Sequence, residues 1–122
     1  MKYMIMMFGS QAGMEAMVSR EWIVEMIQFM QNLDAELVAS GELVVSEGLA
    51  DASQAKTVRY QDDETVITDG PFAESRESLA GFWIVDVESE ARALEITTKV
   101  VAFTHGPIEV RQVPDGPPAE YV

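Results

Sequence analysis

The chain has 122 residues, 48% hydrophobic and 24% charged, with no cysteine and a formal charge of −13 from eight Lys and Arg against 21 Asp and Glu. This length and apolar content suit one domain around one core, and the missing cysteines exclude disulfide scaffolds, thiolate metal sites and thiol nucleophiles while fitting a reducing cytoplasm. The negative field repels phosphate backbones and anionic membranes, so direct nucleic-acid binding and membrane attachment are not expected.

In chain order, Met1 to Phe8 is a short apolar run with no small-residue cleavage site after it, and it reads as a buried strand rather than a signal peptide. Gly9-Ser10-Gln11-Ala12-Gly13 breaks regularity. Ser19 then offers an N-cap with Glu21 in the first turn, which predicts a helix. Trp22, Ile23, Met26, Ile27, Met30, Leu33 and Leu37 recur at three-to-four spacing as its core face, with Glu21, Glu25, Gln28, Asn32 and Glu36 opposite. Gly41 ends the helix in a left-handed conformation, and Leu43-Val44-Val45 starts a second strand.

Lys56 to Tyr60 and Glu64 to Thr68 are β-rich runs around Gln61-Asp62-Asp63, which predicts a hairpin with a polar turn. Gly81 to Val87 is apolar almost without interruption and predicts a strand buried on both faces. Ser89 caps a second helix with Ala91, Leu94, Thr98 and Val101 facing inward, before Gly106-Pro107 and a last strand at Ile108 to Val113. Residues 1–113 thus form the domain, and 114–122 are expected to be a mobile tail.

The predicted fold class is α+β, a ferredoxin-like split βαβ with an inserted β-hairpin. Two helices cover only one sheet face, so the other needs a partner. A second copy of the same sheet is the simplest one, and a homodimer is expected.

Asp69-Gly70-Pro71-Phe72 is the most distinctive stretch. Read mechanically, Asp69 accepts backbone N–H bonds, Gly70 takes an unusual φ, Pro71 fixes its own φ and Phe72 anchors the turn in apolar surroundings. Thr68 to Glu74 also resembles the signature of the DGPF group of YCII-related proteins. Met1 to Phe8, Gly41 with Glu47-Gly48-Leu49, Gly81 to Val87 and Gly106 to Val113 follow in that group's order. The resemblance implies a dimeric α+β barrel in which two ferredoxin-like sheets pack face to face. It also implies an association with sigma-factor-like proteins, beside which the group is often encoded. Many members of the wider family pair a histidine on the first helix with an aspartate, and one branch is similar to dehydrochlorinases. Here the corresponding part of the helix carries Phe29 and Met30, so that dyad does not transfer.

His105 is the only histidine, and with Asp69 or Glu74 as its orienting partner it is the candidate general base. Glu74 and Arg76, with Phe72 and Trp83, are the candidate binding residues. The Met-rich first strand, Phe82 and Trp83 are expected to line an apolar cavity between the sheets. No phosphate loop, metal-ligand cluster or nucleophile elbow is present, so no metal or cofactor is expected. Two readings follow: a non-catalytic small-molecule-binding or regulatory module, and a cofactor-free enzyme for proton transfer or elimination on a small organic substrate.

Overall fold

The computed structural model describes residues 1–72 and 77–122. Among the described residues six strands and three α-helices run in the order β1 (Lys2–Gly9), α1 (Gln11–Met17), α2 (Arg20–Ala39), β2 (Leu43–Gly48), β3 (Lys56–Gln61), β4 (Glu64–Asp69), β5 (Ser78–Asp86), α3 (Glu90–Thr104) and β6 (Ile108–Val113). Four strands form one antiparallel sheet in the order β2-β5-β1-β6. β5 lies between β1 and β2, which is the split βαβ arrangement. The hairpin β3-β4 is a separate two-stranded sheet.

The core occupies one face of the large sheet. Tyr3 and Ile5 of β1 stand opposite Val85 and Trp83 of β5, and these pack with Leu33 and Leu37 of α2 and Ala93, Ile96 and Val100 of α3. Period-2 alternation puts Met4, Met6, Phe82 and Ile84 on the opposite face, where Met6 is buried and the other three are partly buried. The expectation that β5 is buried on both faces is therefore corrected for the single chain. Its odd-numbered residues meet the helices and its even-numbered ones do not.

Local chemistry explains most element ends. Ser19 and Ser89 accept the N–H groups of Trp22 and Arg92 as N-caps. Gly41, at φ 77°, closes α2 with bonds from the Gly41 and Glu42 amides to the Val38 and Leu37 carbonyls. One element departs from expectation: the supposed irregular stretch after β1 leads directly into the helix α1. Ser10 caps it by accepting the Gly13 N–H at 2.9 Å, a bond that offsets the poor helix propensity of Gly13.

The inward face of α3 is also corrected. The buried residues are Ala93, Ile96, Thr97 and Val100, not Ala91, Leu94, Thr98 and Val101. The pairs Thr97-Thr98 and Val100-Val101 give two stripes of nearly equal hydropathy, so periodicity cannot choose between them. Thr97 tolerates burial because its hydroxyl donates to the Ala93 carbonyl at 2.8 Å. On α2, Ile27 is exposed, whereas Phe29 packs on the core.

The hairpin turn is tight. Gln61 pairs with Glu64, leaving Asp62 and Asp63 as the two central residues with φ of 51° and 63°. Both positions require positive φ, as in a type I′ turn, which Asn-Gly adopts more readily than Asp-Asp. Replacing Asp62-Asp63 by Asn-Gly is expected to stabilise the protein by about 1 kcal/mol, read as a higher urea midpoint. An unchanged midpoint would show that the turn is relaxed as it stands.

One ion pair ties α3 to the α2–β2 connection. Arg92 donates through Nε and a terminal nitrogen to the two Glu42 carboxylate oxygens, each at 2.9 Å, and the Ser40 hydroxyl donates to the same carboxylate at 2.8 Å. The Arg92 hydrogen bonds hold the Glu42 carboxyl below its ordinary range against an opposing desolvation, with Ser40 adding to the lowering. Arg92 is correspondingly raised. A carboxylate lowered in the folded state adds stability that is complete above its unfolded pKa, about 4.3, and is lost as pH falls through the folded value. Glu42→Gln should therefore be less stable than wild type at pH 7 by about 1.5–3 kcal/mol. The two should converge as pH is lowered below about 4. A constant gap across pH 3–7, measured by denaturant unfolding, would contradict the assignment.

Candidate functional site

The sequence-derived site residues fall in different places. Asp69 ends β4, largely exposed, and among the described residues its carboxylate accepts from Lys56 across the hairpin. Gly70 does take the positive φ expected of it, 100°. Its amide donates to the Ala55 carbonyl, and its own carbonyl accepts from Thr57 Oγ1 at 2.8 Å. Phe72 does not anchor the turn. It is 78% exposed, with the Arg59 guanidinium 5.4 Å from its ring centroid and donating to its carbonyl.

His105 is the C-cap of α3, exposed, in left-handed conformation, with its amide donating to Val101 at 2.7 Å. Among the described residues no hydrogen bond or ion pair joins His105 to Asp69. Glu74 and Arg76 lie outside the described residues.

Trp83 is 4% exposed and lies on the helix-covered face, not on the open face that carries Phe82. Its indole Nε1 donates at 2.7 Å to Asp34 of α2, whose carboxylate also accepts the Ser46 hydroxyl of β2 at 3.0 Å. A Trp ring can enter a core when its N–H finds a partner, and Asp34 supplies one while pinning α2 to two strands. Nothing in the local sequence around Asp34 announces this role, because its partners are 12 and 49 residues away.

An open cleft of about 560 Å3 lies at the end of the sheet where β1 leaves. Met7 of β1, Met14 and Met17 of α1, and Trp22 and Met26 of α2 supply its apolar lining, and the α3–β6 corner closes the far side through Thr104, Gly106 and Pro107. Ser10 and Glu77 add polar groups. The volume is within the range of small-molecule sites, and methionine side chains adapt to varied shapes. Trp22 is braced from behind by Phe103, centroids 5.4 Å apart, and Phe103 stacks on Phe29 at 4.7 Å and 11°. An aromatic stack thus links this part of α2, at Trp22 and Phe29, to α3 at Phe103. The cleft combines residues 7 to 26 with 77 and 104 to 108, so no contiguous motif could reveal it.

Among the described residues no group of three or more His, Asp and Glu converges as a metal site would require, and no helix is long and apolar enough to cross a membrane. Fold and cleft together define an α+β domain with three helices, a mostly antiparallel sheet and an apolar pocket at the sheet's end. The chain belongs to the YCII-related domain family, which matches residues 1–115. It is similar to an uncharacterised protein of Rhizobium meliloti (strain 1021), 30% identical over 95 residues that cover 78% of this chain and 76% of that protein.

Proposed function

We propose that this chain is a non-catalytic small-molecule-binding module that works as a homodimer, with its ligand in the methionine-lined cleft. The cleft carries the reading. It offers about 560 Å3 and has a braced indole as one wall. Binding requires little more than apolar enclosure and a few orienting polar groups. Proton transfer requires an acid or base within hydrogen-bond reach of the substrate, and neither Asp69 nor His105 is among the described residues that line the cleft.

The homodimer is supported by apolar residues the helices do not cover: the partly buried Met4, Phe82 and Ile84 on the other sheet face, and the exposed Val58, Tyr60 and Ile67 of the hairpin. Packing two such ferredoxin-like sheets face to face would give the dimeric α+β barrel. The DGPF grouping is supported by the Thr68 to Phe72 stretch, and a regulatory use through a sigma-factor-like partner rests on that resemblance alone.

The test is titration with a small neutral arene that is not itself an indole, such as 2-phenylethanol, followed by calorimetry and by tryptophan emission in a Trp83→Phe background, where Trp22 is the reporter. Binding with a shift of Trp22 emission is expected, and Trp22→Ala should weaken it about tenfold, the scale of an aromatic contact. Affinity unchanged in Trp22→Ala, or no binding at all, would remove the cleft as the ligand site.

A further inference from the structure

We infer that the methionines of the cleft make it an oxidant-sensitive site: a peroxide converts Met17, and then Met14, to the sulfoxide, and affinity for the ligand falls as they convert. The loss of affinity rests on the cleft being the ligand site, as proposed above; the order of oxidation does not. The chain has eight methionines and no cysteine, so thioether sulfur is the only sulfur it offers to a two-electron oxidant. Four of them, Met7, Met14, Met17 and Met26, line this one cleft. Their exposure is graded. Met17 is 86% exposed, Met7 and Met14 are half-buried, and Met26 is buried. Met1 is the one other exposed methionine, and it precedes the start of β1, whereas the cleft lies where β1 ends.

The step is an oxygen transfer. A lone pair on the thioether sulfur attacks one oxygen of hydrogen peroxide, the S–O bond forms as the O–O bond breaks, and the departing hydroxide takes the proton of the transferred oxygen and leaves as water. Sulfur gives up two electrons and the peroxide takes them up, so the reaction closes on methionine, peroxide, sulfoxide and water. Met14 and Met17 stand three residues apart on α1 and so share one face of it. Conversion replaces two apolar, adaptable side chains of the lining by polar ones, and an arene seated there would have to strip water from the sulfoxide oxygens. The helix itself is sensitive to the same change. Seven residues with a glycine in the middle are marginal as a helix alone, so α1 depends on the packing of side chains such as the half-buried Met14.

The experiment treats the whole chain with hydrogen peroxide, with and without saturating 2-phenylethanol, follows each methionine by peptide mass spectrometry and measures 2-phenylethanol affinity by calorimetry. Met17 and Met1 should convert first, Met14 after them, and Met26 last among the cleft methionines. Bound 2-phenylethanol should slow conversion of Met14 and leave that of Met1 unchanged. Once Met14 and Met17 are both converted, affinity should have fallen about fivefold or more, the low end of the penalty for desolvating an unpaired polar group, and methionine sulfoxide reductases acting on both epimers should restore it. The double variant Met14→Leu/Met17→Leu keeps the apolar volume and removes the two reactive sulfurs. It should bind 2-phenylethanol as wild type does and hold that affinity through the same treatment. Met26 converting as fast as Met17, affinity unchanged with Met14 and Met17 both converted, or a Leu variant that loses affinity as wild type does would each overturn the inference. If untreated protein does not bind 2-phenylethanol, the cleft is not the ligand site and the claim on affinity falls with it, while the order of oxidation is still decided by the mass spectra.

Discussion

Trp83→Ala is expected to destabilise the protein by about 3–5 kcal/mol, whereas Phe72→Ala should move the unfolding midpoint by no more than about 0.5 kcal/mol. Both are aromatic residues singled out by the sequence, and burial separates them. Trp83 is 4% exposed and touches the centre of the core, and Phe72 is 78% exposed. Removing the indole leaves a cavity among Ile5, Leu33 and Leu37 and deprives the Asp34 carboxylate of its shortest hydrogen bond. Trp83→Phe separates the two contributions, because it retains most of the packing and loses the N–H donor. It should cost about 1–3 kcal/mol. Urea unfolding of the three variants checks the set, and a Phe72→Ala loss comparable to that of Trp83→Ala would mean that Phe72 is covered in solution.

The second large effect concerns assembly. Val58, Tyr60 and Ile67 share one face of the β3-β4 hairpin, Val58 directly opposite Ile67, and are 64%, 71% and 70% exposed in the single chain. The other hairpin face turns inward through the buried Thr57. A two-stranded ribbon is marginal in water on its own, and three large apolar groups on its outer face add to that cost. Wild-type protein is expected to sediment as a dimer at micromolar concentration, and the double variant Val58→Asp/Ile67→Asp as a monomer. Placing two carboxylates per chain in the interface should raise the dissociation constant at least about a hundredfold, near 3 kcal/mol. Circular dichroism would establish that the variant remains folded. A monomeric wild type, or a variant dimer as tight as wild type, would exclude the hairpin face from the interface.

Much of the architecture is legible in the residues themselves, because it depends on interactions between near neighbours. Ser19 and Ser89 cap helices through amides three residues on, Gly41 terminates α2 through carbonyls three to five residues back, and the hairpin registers around a two-residue turn. Period-2 alternation in β1 and the three-to-four spacing in α2 determine which element type each segment forms. The α+β class and the split βαβ order follow from that string of elements.

Other features were decided only in three dimensions. Which of two equivalent stripes of α3 turns inward depends on the sheet it meets, since hydropathy is nearly the same for Thr97 and Thr98 or Val100 and Val101. The role of Asp34 depends on Trp83 and Ser46 arriving beside it from two strands, and the cleft depends on β1, α1, α2 and the α3–β6 corner converging at one end of the sheet. The exposure of Phe72 is likewise a matter of what packs against it in three dimensions, which no turn motif encodes. The physical reason is common to all of them. Caps, turns and periodicity are energies between residues a few positions apart and can be read along the chain, whereas burial and the lining of a cavity are set by residues tens of positions away, whose approach is fixed only when the sheet and helices close on one another.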